Sequence, residues 1–160
     1  MNHSSKRDSS PLPVIEVDLL LAYLVAEDRH HVVASNYFSK VNSGELTKPT
    51  LTPFALQELE LGVRAQKILP HGKVLKSEAE IAAFMNEICE ALGLYKIAIQ
   101  PVQCDIFARA AEIREKYELS YYDSHHASAA LYFDKSIVST NRRYDRVKDL
   151  NRLDPSKLTV

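Results

Sequence analysis

What this sequence lacks narrows it first. No apolar stretch reaches the ~18–20 residues that crossing a bilayer requires. The longest, residues 19–26, runs straight into Glu27, Asp28 and Arg29. The opening MNHSSKRDSSPLP carries no apolar signal-peptide core and reads as a disordered leader over residues 1–12. Cysteine is scarce: Cys89 and Cys104 stand alone, spaced neither as a metal knuckle nor as a redox pair. Without an export signal, two such residues suggest reduced thiols in a cytoplasmic protein. An excess of basic charge is also missing. Lys and Arg total 20 against 21 Asp and Glu, for a formal net charge of −1, which gives no general electrostatic grip on nucleic acid. Any nucleic-acid role must come from a local patch or a metal site. There is no internal repeat and no low-complexity segment.

What is present suits one compact domain over residues 13–160. Of the 160 residues, 46% are hydrophobic and 26% charged, ordinary for a folded chain with a real core. Short apolar runs at 13–18, 46–51, 97–102 and 136–140 read as strands. Between them lie helical patterns at 19–26, 30–41, 53–69, 77–94, 104–117 and 120–133, and a last short one at 142–150. Thr52-Pro53 suits a helix start, with an N-cap residue followed by proline. Ser77 with Glu80 three residues later is a capping-box pattern. Strands alternating with amphipathic helices imply an α/β fold whose mostly parallel sheet is covered on both faces. In such sheets, sites form outside the carboxyl ends of the strands.

Acids cluster where that rule would put a site. Asp18 stands at the end of the first strand candidate, and Glu58 lies in the helix after the second. Asp123 opens the helix beginning Ser120-Tyr121-Tyr122, and Asn141 follows the fourth strand candidate. Three carboxylates and an amide oxygen make a plausible cage for a hard cation, which lowers the pKa of water and offsets charge on a phosphodiester. Each residue also has a plainer role: Asp18 as a helix cap, Glu58 as a solvent-facing acid, Asp123 as a first-turn acid.

Three segments resemble the PIN-domain nucleases, among them the VapC-type toxins of toxin–antitoxin pairs. VIEVDLLLAYL is similar to the family's opening strand with its metal-binding acid, on Asp18. TPFALQELELG is similar to the segment holding the second acid, on Glu58. AAEIREKYELSYYDSHHASAALYFDKSIVSTNRRYDRV, running into NRLDP, is similar to the helix, strand and turn that place the third acid on Asp123. The resemblance spans residues 14–158. It implies a three-layer α/β/α sandwich, Mg²⁺ or Mn²⁺, hydrolysis of RNA phosphodiesters, frequent homodimers and a small antitoxin partner. Two positions depart from the family pattern. A small polar residue is expected two after the first acid, where Leu20 stands. Where an acid is expected after the fourth strand, Asn141 stands; Asp145, four residues on, either substitutes or only decorates the last helix.

Other features have two readings each. His125 and His126 lack the partners of a zinc site, so helix packing is favoured; His126, three beyond Asp123, shares its face and borders the site or binds phosphate. Arg142 and Arg143, with Arg146 and Lys148, either hold RNA phosphates or pair with Asp145 and Asp149. Tyr121 and Tyr122 either stack on a base or pack in the core. The expected activity is a metal-dependent endoribonuclease; the alternative is a PIN-fold RNA- or protein-binding module with weakened catalysis, for which Asn141 speaks. A phosphoacceptor receiver domain fits poorly. It wants an acid after the third strand and a lysine after the last, where this chain has Val102-Gln103 and Asn141.

Overall fold

The computed structural model describes residues 12–160. The expected leader lies, apart from Leu12, outside the described residues. Five short strands form one sheet: β1 (Val14–Ile15), β2 (Thr50–Leu51), β3 (Ala98–Ile99), β4 (Ser136–Val138) and β5 (Asn151–Leu153). Their order is β3-β2-β1-β4-β5, and every neighbouring pair is parallel. β1 is therefore central, with Val14 opposite Thr50 on one side and Ile137 on the other.

Alternate strand residues face opposite sides of a sheet, and the core divides accordingly. Val14 and Ile137 pack with Ile113, Leu119, Ala127 and Leu131. Ile15 and Val138 pack with Leu20, Phe38, Leu59 and Ile88. Two apolar faces need two covers, and the chain forms the expected α/β/α sandwich. One cover holds α1 (Val17–Leu24), α2 (His31–Ser43), α3 (Pro53–Arg64) and α4 (Glu78–Leu94); the other holds α5 (Cys104–Tyr117) and α6 (Tyr121–Phe133). A last turn of helix, α7, spans Pro155–Leu158.

Local chemistry explains the helix ends. At α4 the Glu80 N–H donates to Ser77 Oγ at 3.2 Å and the Ser77 N–H donates to Glu80 Oε2 at 2.9 Å, a complete capping box. At α6 the Asp123 N–H donates to Ser120 Oγ at 3.1 Å; such caps contribute about 1 kcal/mol each. Every residue of α6 from Ser124 to Leu131 is buried, because its small Ala and Ser side chains let α5 and the sheet approach closely.

The structure corrects four expectations. Residues 142–150 do not form an α-helix; Arg142–Arg146 is a 3-10 turn, anchored by buried Tyr144 and Val147 three residues apart, a spacing that suits three residues per turn. Asn151–Leu153 is a fifth strand. α3 ends at Arg64 rather than near residue 69, because Gln66 takes a left-handed φ of 57° and the Lys67 and Ile68 N–H groups turn back to the Gly62 carbonyl. Thr52 is the N-cap residue of α3, but its hydroxyl makes no cap bond and is buried without a partner.

Candidate metal and nucleic-acid site

The carboxyl ends of β1 and β4 lie side by side, since Ile15 pairs with Val138. Whatever follows each strand must meet there. After β1 comes Glu16, the N-cap residue of α1, and then Asp18 in the helix's first turn. After β4 come Ser139 and the turn led by Asn141. Asp18 is thus not the strand-end acid that the sequence suggested; Glu16 is. Counted from Glu16, the position two residues on, where the family pattern expects a small polar side chain, holds Asp18.

Glu16 is buried, at 5% exposure, and is held by two hydroxyls. Ser139 donates to one carboxylate oxygen and Tyr144 to the other. Burial pushes the Glu16 pKa up and Asp18 adds to it, while His126, Ser139 and Tyr144 pull the other way; the result is about 8. Asp18 reaches solvent at its edge and accepts the Leu19 N–H at 2.9 Å. Desolvation among its neighbours raises its pKa, and the Glu58 and Asp123 carboxylates add to the shift.

Glu58 and Asp123 enter from the two helical covers. Glu58 Oε2 lies 2.8 Å from His126 Nε2 across the site. Burial favours the neutral His126 imidazole, but its Glu58 bond and the charges of Glu16, Glu58 and Asp123 outweigh that, so its pKa is raised. Its other ring nitrogen is buried without a partner. Tyr144 Oη also lies 3.5 Å from Asp123 Oδ1. Burial and the Glu16 and Asp123 carboxylates raise the phenol's pKa far above its ordinary value. Asp18 therefore feels the charge of both Glu58 and Asp123. His126 borders them, one of the two roles it was given.

Asn141 behaves differently. Its backbone N–H donates to Ser139 Oγ at 2.9 Å, one step from Glu16. Its side-chain oxygen accepts the Arg143 N–H at 3.0 Å and caps the 3-10 turn. Asp145 is drawn away by Arg152, at 2.7 Å, and this bond holds its carboxyl below the usual range. Arg142, Arg143, Arg146 and Lys148 are exposed and form no ion pair among the described residues. Of the two readings given to these cations, pairing with Asp145 and Asp149 is not seen among the described residues.

Three site residues escaped the sequence reading: Glu16, Ser139 and Tyr144. Glu16 carried a signal, an acid inside a β-branched strand run where charge is seldom buried without partners. Ser139 and Tyr144 carried none beyond their place next to Asn141.

The donor chemistry suits a hard divalent cation: carboxylates that act on one another's charge, two of them with raised pKa values. Among the described residues, however, no three His, Cys, Asp or Glu side chains already converge as a group able to hold a metal. Glu58 is turned to His126 and the Asn141 oxygen to a backbone N–H.

Comparison with known proteins decides the family. The PIN domain model matches residues 19–150. This chain belongs to the PIN domain family. Its members are generally nucleases. Solved structures of similar fold include VapBC2 from Rickettsia felis, bound to a DNA fragment from their promoter. It matches at TM-score 0.61 and 14% identity, over 89% of this chain and 97% of that one. FitAcB from Neisseria gonorrhoeae matches at TM-score 0.57 and 14% identity, over 90% of this chain and 98% of that one. No curated protein matches this PIN-domain chain by sequence. Among its described residues no helix is long and apolar enough to cross a membrane.

Proposed function

We propose that this chain is a divalent-metal-dependent endoribonuclease, the cytoplasmic toxin of a toxin–antitoxin pair. The observation that carries this reading is the gathering of Glu16, Asp18, Glu58 and Asp123 at the carboxyl edge of a PIN-family sheet. Asp18, Glu58 and Asp123, with Glu16 behind them, would hold Mg²⁺ or Mn²⁺, and Asn141 would offer its oxygen directly or through water. Such an ion supplies a more acidic water and offsets charge on the phosphodiester. The chain's own groups prepare the place. Ser139 and Tyr144 fix the Glu16 carboxylate, and the Glu58–His126 bond offsets part of the acid charge. Arg142 and Arg143, exposed and unpaired among the described residues, are suited to RNA phosphates.

The partners follow from the same reading. The solved relatives are toxin–antitoxin complexes, which supports a small antitoxin partner here. A C₂ homodimer is the commonest symmetric assembly. Exposed Phe107 and Tyr121, both packed on His125, supply an apolar patch for it.

The test is cleavage of single-stranded RNA by the full chain with Mn²⁺. Chelation and, separately, Asp123→Asn should each abolish it without altering the fold seen by circular dichroism. The binding-module reading has an observation of its own, the internal use of Glu58 and of the Asn141 oxygen. RNA binding without cleavage, with every divalent ion tried, would establish that reading instead.

A further inference from the structure

A cavity of about 150 Å³ lies at the amino ends of the central strands, the edge away from the acids. Pro13, just before β1, and Ser136, the first residue of β4, mark its place on the sheet. Leu46, Val138, Leu153 and Leu158 give it an aliphatic lining, and the buried Tyr37 of α2 adds a ring. Lys40 Nζ ties α2 to α7 beside it, donating to the Leu158 carbonyl at 3.4 Å.

Into this apolar lining the chain sets a single charged residue, the half-buried Asp134. Its two oxygens differ. Oδ1 accepts the Ser136 N–H at 3.0 Å and holds the turn between α6 and β4. Oδ2 is buried and has no hydrogen-bond partner among the described residues. No cation pairs with the carboxyl there either. Buried polar atoms are normally satisfied, because a desolvated one without a donor is costly. Burial pushes the Asp134 pKa up, against the pull of the Ser136 N–H. The turn does not account for the charge, since an Asn oxygen would hold the same N–H.

We propose that this cavity is a binding site for a primary ammonium on a short, unbranched aliphatic stem, with Asp134 Oδ2 as its acceptor. The stem matches the aliphatic lining, and the head supplies the donor and the charge that Oδ2 lacks. Size sets the length: at roughly 30 Å³ per water the cavity equals about five waters, close to the five or so non-hydrogen atoms of n-butylammonium. A guanidinium suits the site less, because it pairs best with both oxygens of a carboxylate and Oδ1 is engaged. A second ammonium would meet Lys40, whose Nζ sits at Leu158, so a monoamine is preferred to a diamine. Two sources carry this chemistry, a free alkylamine and a lysine side chain of a protein partner. The site lies apart from the acids and does not depend on the nuclease reading.

The experiment titrates the full-length, nitrogen-15-labelled chain with n-butylammonium chloride at constant ionic strength and neutral pH, following the backbone amide signals of Tyr37, Ser136 and Leu158. Saturable shifts with a dissociation constant on the order of 1 mM are expected, within reach of so small a ligand. n-Butanol has nearly the same shape without the charge, and Asp134→Asn keeps the Ser136 bond; each should weaken binding at least about tenfold, the share of a hydrogen bond to a charged group. Leu46→Phe narrows the cavity and leaves Asp134 in place. It should also weaken binding, and it carries the test if Asp134→Asn does not fold. N-acetyl-lysine methylamide separates the sources. Affinity at or above that of n-butylammonium assigns the site to a partner's lysine, and weaker binding assigns it to a free amine. Shifts that never saturate, equal affinity for n-butanol, or an unaltered constant in Asp134→Asn overturns the site.

Discussion

The segments after β1 and after β4 start from paired strand ends, yet they solve opposite electrostatic problems. After β1 the chain carries four acids, Glu16, Asp18, Glu27 and Asp28, and no basic residue before Arg29. After β4 it carries hydroxyls, one amide and four exposed cations, with two acids: Asp145, tied to Arg152, and the exposed Asp149. On the acidic side Glu16 alone is buried, and it is held by neutral donors, Ser139 and Tyr144. The basic side faces outward. A cation placed against Glu16 from within would neutralise the pocket and leave little attraction for a metal. Neutral hydroxyls orient the Glu16 carboxyl group without bringing a positive charge of their own.

That contrast can be broken most severely at Asp18. Asp18→Asn keeps the side chain's shape and its oxygen acceptor for Leu19 but removes the solvent-facing charge. RNA cleavage with Mn²⁺ should fall at least about 100-fold while the melting temperature holds or rises, because one member of a repelling set is gone. Full activity at equal purity and metal would remove the acid-site mechanism.

Glu16→Gln probes the buried member without metal. In the folded protein Glu16 keeps its proton to about pH 8, against 4.5 in the unfolded chain. Between those values the native state binds more protons, so stability is highest below the unfolded pKa and declines as pH rises through the folded one. Melting in EDTA should therefore show a loss of a few kcal/mol between pH 5 and pH 8.5. The Gln variant should show a flatter profile and overtake the unsubstituted chain at the alkaline end. Parallel profiles for the two proteins would mean that Glu16 is not the group responsible.

Asn141→Asp would make the basic segment resemble the acidic one. An added charge about 4 Å from a dication gains roughly 2 kcal/mol even in water-like surroundings. Desolvating the new carboxylate and its bond to the Arg143 N–H reduce this, so Mn²⁺ affinity by titration calorimetry should tighten about tenfold. Asp caps a turn as well as Asn does, which keeps the fold out of the comparison. Equal or weaker binding would place residue 141 away from the metal.

The smallest effect belongs to the outward cations. Arg143→Ala leaves the backbone N–H that Asn141 accepts and removes an unpaired exposed charge. RNA affinity of the Asp123→Asn chain should drop about threefold, with metal affinity unchanged. An effect on metal binding instead would mean that the two strand-end segments are electrically coupled.

Much of this layout was legible beforehand. The α5 and α6 spans, the α4 capping box and the sandwich itself follow from periodicity and capping chemistry, which act over three or four neighbouring residues. β5 was not legible: Asn-Arg-Leu has no strand pattern of its own and is a strand only because Ser136, Ile137 and Val138 pair with it. Asp18, Glu58 and Asp123 were singled out by position and resemblance, and the fold sets Asp18 where the charges of the other two reach it. Glu16 lay in the same quoted segment and was passed over, because only the early end of β1 at Ile15 shows which acid stands at the strand end.

The sequence by itself determined the alternation of elements, the helix ends, and the acidic residues that a parallel sheet would carry to one edge. Those are local properties, set by side chains within a few positions of each other. Only the tertiary structure decided which partner each polar group took. Tyr144 reaches Glu16 across 128 positions and His126 reaches Glu58 across 68. Asp145 went to Arg152 rather than to the site. Burial and strand register fix such choices, because a desolvated charge must find its donors in space, wherever the chain happens to supply them.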